Sequence, residues 1–100
     1  MSRTIKTNKY CKWSWDESLG GDFDAWGTST YFIEFGDNLC AVRQIEVYEN
    51  GNVLFYDQTH LADEYGMLSD KPIFEEDIQE FEITKAEFEQ IWNTKTPINR

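Results

Sequence analysis

The segment "AVRQIEVYENGNVLFYD", residues 41–57, constrains the fold more than any other part of the chain. Two runs rich in β-branched and aromatic residues flank Asn50-Gly51, a pair that supplies the positive φ angles of a two-residue type I′ turn. A hairpin closed in that way pairs Glu49 with Asn52, Tyr48 with Val53, Val47 with Leu54 and Ile45 with Tyr56. Ile45, Val47, Leu54 and Tyr56 then share one face. The other carries Gln44, Glu46, Tyr48, Val53 and Phe55, a mixed set that suits a sheet fully covered on one side only.

Two further strands precede the hairpin. In "YCKWSWD" strict alternation puts Cys11, Trp13 and Trp15 on one face with Lys12 and Ser14 opposite, and in "TYFIEF" Tyr31, Ile33 and Phe35 share a face. Gly20-Gly21 separates the two, and Gly36-Asp37-Asn38 ends the second. Residues 58–72 hold no sustained period and read as an irregular connection with room for a short strand near Met67-Leu68.

Beyond Pro72 the period becomes helical. Phe74, Ile78 and Phe81 form the apolar stripe of a short helix whose Glu75, Glu76, Asp77 and Glu80 face water. "ITKAEFEQIW" carries a capping box, Thr84 with Glu87, and a staple of Ile83 onto Phe88, so a helix is expected from about Lys85 to Asn93 with Phe88, Ile91 and Trp92 in the core. The order predicts one α+β domain over residues 1–100: an antiparallel sheet of about four strands with one or two C-terminal helices packed on one face.

Charge is where the chain departs furthest from the average. Nineteen Asp and Glu stand against nine Lys and Arg, a formal net of −10. Between residues 13 and 92 all nineteen acids face three bases, Arg43, Lys71 and Lys85, a net of −16. Such a body repels a phosphate backbone, which argues against direct nucleic-acid binding. No apolar segment is long enough to span a bilayer and the first residues lack the apolar run of a secretion signal, so a cytoplasmic location is expected. Cys11 and Cys40 are too few for a disulfide framework and are read as buried thiols, with a bridge between neighbouring strands as the second reading.

The residues that would carry enzyme chemistry are not arranged for it. His60 is the one histidine and has no nucleophile motif beside it, so it reads as a hydrogen-bonded or exposed loop residue. Gly20-Gly21 lacks the Lys and the helix start of a phosphate loop. Asp22, Asp24 and Gly27 fall at the first, third and sixth positions of a calcium loop, but Trp26 and Ile33 occupy the fifth and twelfth, where oxygen donors are required. Neither a catalytic residue nor a cofactor or metal site is assigned.

Surface recognition remains. Asp16, Glu17, Asp22 and Asp24 surround a loop that ends in Trp26, and Asp63 and Glu64 precede Tyr65 in the later connection. Acids draw a cationic surface in and aromatic side chains supply the desolvated centre of an interface, so these eight residues are the candidate partner-binding site. Trp13 and Trp15 read as core.

"W…D" in the first strand (Trp13 to Asp16), "R-x-[IV]-E-[IV]-[FY]-x-[DN]-G" in the hairpin (Arg43 to Gly51) and "I-[ST]-x-x-E-F-x-x-[IL]-W" in the closing helix (Ile83 to Trp92) resemble a pattern of small bacterial proteins. These look like the immunity proteins of contact-dependent inhibition and other polymorphic toxin systems. The resemblance covers most of residues 9–93 and implies a monomer that binds a basic cognate toxin domain 1:1, foremost a ribonuclease, and covers its cationic active site. The matched residues are those of hairpin, cap and core; Arg43 among them is expected to pair with a nearby carboxylate. Two other readings compete with this one: a small-ligand or carbohydrate-binding module that stacks sugars on Trp13, Trp15 and Trp26, and a DNA-mimic inhibitor.

Overall fold

The computed structural model describes residues 8–15, 25–36, 39–69 and 72–99. Its elements follow as β1 (Lys9–Trp15), β2 (Ser29–Phe35), β3 (Ala41–Tyr48), β4 (Val53–Tyr56), α1 (Glu75–Phe81), β5 (Glu82–Ile83) and α2 (Lys85–Thr94). The strands form one antiparallel sheet in the order β4-β3-β2-β1-β5, an α+β fold. Among the described residues there are five strands rather than about four. The added one is a two-residue strand in the link between the helices, which pairs Ile83 with Tyr10 and Glu82 with Cys11 on the free edge of β1. Two residues are too few for an alternation to show in sequence.

The hairpin forms one residue out of the expected register. Val47 pairs with Val53, Glu46 with Leu54, Ile45 with Phe55 and Gln44 with Tyr56. The Tyr48 amide donates to the Asn52 carbonyl at 2.9 Å and the Gly51 amide to the Tyr48 carbonyl at 2.9 Å. That closes a loop of three residues in which Gly51 alone takes a positive φ, +95°, and the Asn50 side chain accepts from the Asn52 amide at 2.9 Å. Asn50-Gly51 therefore serves a three-residue turn, not the type I′ turn. A slip of one residue exchanges the faces of the whole second strand. Val53 and Phe55, not Leu54 and Tyr56, lie with Ile45 and Val47. Apolar residues at all four positions of β4 made either choice compatible with burial, since the strand is covered on both sides.

Both faces of the sheet are packed, and the helices lie on opposite faces rather than on one. Cys11, Ile33, Phe35, Tyr48, Leu54 and Tyr56 meet Ile78 and Phe81 of α1, together with Leu68 and Ile73 of the connection. Tyr10, Phe32, Ile45, Val53 and Phe55 meet Phe88, Ile91 and Trp92 of α2. The chain changes sides by passing along the sheet edge as β5. Trp92 stacks on Phe55 with ring centroids 4.4 Å apart, and Phe88 meets Tyr10 at 5.3 Å. The Thr84 hydroxyl accepts from the Glu87 amide at 3.1 Å, as the capping pattern requires, and starts α2 at Lys85.

Two smaller expectations are corrected. Phe74 is not on the buried stripe of α1: it sits at the N-cap and is 70% exposed, because the helix begins one residue later and turns Ile78 and Phe81 inward. Cys11 is buried as expected, and burial, with help from Glu82 and Asp77, pushes its thiol up to about 11; Cys40, beyond the end of β2, is only partly buried. Neither is in a disulfide.

Candidate functional site

Trp26 is set by the hairpin turn. The Asn50 amide donates to the Trp26 carbonyl at 3.1 Å, the Glu49 amide to the Thr28 carbonyl at 2.8 Å, and the Glu49 carboxylate accepts from the Thr28 amide at 3.2 Å. Gly27 between them has a φ of +79°, and a Cβ there would lie 2.8 Å from that of Glu49. The chain thus crosses the turn closely, and the Trp26 ring comes down on Tyr48 at 4.9 Å, edge to face, and on Tyr65 at 5.8 Å. The two loops chosen from sequence therefore meet. Trp26 and Tyr65 are both half-buried by this contact.

Asp63 organises the second loop from within. Its Oδ1 accepts from the Tyr56 hydroxyl at 2.8 Å and the Tyr65 and Gly66 amides at 2.9 and 3.3 Å; its Oδ2 meets Asn99 Nδ2 at 2.8 Å and His60 Nε2 at 2.7 Å. Partial burial opposes ionisation, yet the bonds from His60, Asn99, Tyr56 and the Tyr65 amide together hold the carboxyl well below the usual carboxylate range. Glu64 beside it is exposed, as are Leu61 at 54% and Met67 at 51%. Asp16, Glu17, Asp22 and Asp24 lie outside the described residues.

Between these loops and the sheet lies a pocket of about 370 Å³ that is not among the sites expected from sequence. Trp13, Tyr31, Glu46, Tyr48, Tyr65 and Met67 line it with Gln44. Gln44 and Glu46, expected on a half-covered face, are 3% and 5% exposed. The Tyr48 hydroxyl donates to Glu46 Oε1 at 2.6 Å and Gln44 Nε2 to Glu46 Oε2 at 2.8 Å. Gln44 also ties the connection down, donating to the Met67 carbonyl at 3.1 Å and accepting from the Ser69 amide at 3.0 Å. Burial raises the Glu46 carboxyl above its ordinary range against the pull of hydrogen bonds from Tyr48, Gln44 and Tyr31. Burial and that carboxylate in turn push the Tyr31 phenol up to about 12. The one available signal was the polar pair Gln44 and Glu46 in a strand whose partner is apolar throughout.

A second polar cluster lies on the α2 face. Arg43 bonds to Glu34 and Glu89, and its guanidinium carbon stands 4.9 Å from the ring centres of both Phe88 and Trp92. Asn8 and the Tyr10 hydroxyl also donate to Glu34, at 2.7 and 3.1 Å. These bonds fasten α2 to the sheet and leave Arg43 engaged on both sides.

No family model, curated protein or solved structure matches this chain. Among the described residues no helix is long and apolar enough to cross a membrane, and no three His, Cys, Asp or Glu side chains gather closely enough to hold a metal ion. What the geometry offers is an aromatic contact between two loops, exposed apolar side chains and acids beside it, and an acid-floored pocket underneath.

Proposed function

We propose that the protein acts by binding, not catalysis, as a cytoplasmic immunity-type inhibitor. It forms a 1:1 complex with a basic toxin domain, foremost a ribonuclease, and covers the cationic cleft in which that domain would hold its phosphates. The observation that carries this reading is the meeting of Trp26 with Tyr65 on a chain of net charge −10. Exposed Glu49 and Glu64 flank that contact, and exposed Met67, two residues from Tyr65, adds apolar surface beside it. A negative field speeds the encounter with a cationic partner, while the aromatic and apolar side chains provide the desolvated contact that slows release. The pattern of Trp13 to Asp16, Arg43 to Gly51 and Ile83 to Trp92 supports the same class of partner.

The test is co-expression with the toxin domain encoded beside the gene. A stoichiometric complex is expected, with suppressed nuclease activity and an association rate that falls as salt rises. Absence of a complex, or binding indifferent to salt, overturns the reading.

A further inference from the structure

We propose that the pocket floored by Glu46 receives one cationic side chain, lysine or arginine, from the basic partner, an assignment that rests on the function proposed above. Glu46 is 5% exposed, and its carboxylate takes hydrogen bonds from Tyr48, Gln44 and Tyr31, all neutral donors. Among the described residues no ion pair reaches it: Lys9 pairs with Glu82, Arg43 with Glu34 and Glu89, and His60 with Asp63. Lys12 stands over Phe32, on the α2 face of the sheet. A carboxylate withdrawn from water among neutral donors is held at a cost that a countercharge would offset.

The surroundings fit such a group. The rings of Trp13, Tyr31, Tyr48 and Tyr65 line the same pocket, and aromatic faces attract ammonium and guanidinium ions, most strongly where water is excluded. At about 370 Å³ the space lies at the small end of the range of ligand pockets, about 300–1,000 Å³. Tyr65 and Met67 line it, and Tyr65 meets the Trp26 ring assigned to the partner contact, so a basic side chain seated there would have the rings and the carboxylate within one pocket. Burial raises the Glu46 carboxyl, and an entering cation would draw it back toward ionisation.

Two arms test this, one without the partner. Ethylguanidinium and, as a neutral probe, tert-butanol are titrated while the Trp13 indole N–H resonance is followed by NMR. A saturable shift with ethylguanidinium, absent with tert-butanol and lost in Glu46→Gln, is expected; an equal response to both probes, or an unchanged response in Glu46→Gln, overturns the proposal. Met67→Arg, at a side chain 51% exposed, is the second variant and keeps Glu46 itself. Its own guanidinium is expected to fill the pocket and abolish the response, and a full response there also counts against the proposal. In the partner arm Glu46→Gln is expected to weaken the toxin complex about 30-fold or more. Unchanged affinity overturns the assignment to a partner side chain and leaves the inhibitor function standing. Saturable ethylguanidinium binding without any toxin complex does the reverse: it overturns that function and assigns the pocket to a free organic cation.

Discussion

Asn99 pairs with Phe55 as if it were a neighbouring strand. Its Nδ2 donates to the Phe55 carbonyl at 3.0 Å and its Oδ1 accepts from the Phe55 amide at 3.0 Å, while the Ile98 amide donates to the Val53 carbonyl at 2.8 Å. A side-chain amide has the donor and acceptor spacing of a peptide group, so one residue satisfies the backbone of β4 at the sheet edge. Edge strands left open invite pairing with another chain. Asn99→Ala removes both bonds and the Asn99 contact to Asp63, and is expected to cost about 2 kcal/mol of stability. Thermal melts measure the loss, and light scattering should show the variant, but not the parent, associating at high concentration.

Asp63 gives the fold an acid-sensitive bracket. Its folded pKa lies below the unfolded value, so the stabilisation is fully present above the unfolded pKa of about 4 and is lost as pH falls through the folded one. The unfolded chain takes up the proton first on the way down. Urea midpoints measured from pH 7 to pH 2 are expected to fall more steeply for the parent than for Asp63→Asn, which is less stable at pH 7. Parallel curves would show that the carboxylate is not the bracket.

Arg43 and Glu34 form a pair whose halves are not independent. Glu34 is 5% exposed, so Arg43→Ala leaves a buried carboxylate without its cation and strips a cover from Phe88 and Trp92. The expected loss is about 3 kcal/mol. Arg43→Ala combined with Glu34→Gln is expected to recover a substantial part of it. A double-mutant cycle from denaturant titrations measures the coupling, and simple additivity would mean that the pair contributes little.

Gly27 and Trp26 separate placement of the aromatic contact from the contact itself. Gly51→Ala, with open space but a φ of +95°, is expected to cost about 1 kcal/mol in stability and to leave partner binding unchanged. Gly27→Ala crowds Glu49 as well as straining the backbone, and should lower both stability and affinity. Trp26→Ala is expected to weaken the toxin complex by about 2 kcal/mol beyond any change in stability, against a small effect of Glu64→Gln. Calorimetric titration at one salt concentration ranks all four; equal affinity of Trp26→Ala and the parent removes Trp26 from the interface.

Local sequence determined what local chemistry can determine. Alternation placed Tyr31, Ile33 and Phe35 on one face, and Thr84 capped α2 where the pattern required, because both depend on neighbours within a few residues. The outcome differed where one segment had to choose between two partners of similar worth. Four apolar residues in β4 fit either register, and the choice fell to Trp92 on Phe55 and Tyr56 on Asp63, contacts made from far along the chain. The helices went to opposite faces because a two-residue strand, invisible as a pattern, carried the chain along the sheet edge between them. Glu46 fell on the mixed face of a sheet expected to be fully covered on one side only, since nothing adjacent in sequence buries it; the loop of Tyr65 and Met67, which lines the same pocket, is far along the chain. Sequence alone thus determined the elements and the charge, and only the tertiary structure decided which side chains those elements enclose, because enclosure is a property of surfaces that meet and not of the residues that precede and follow.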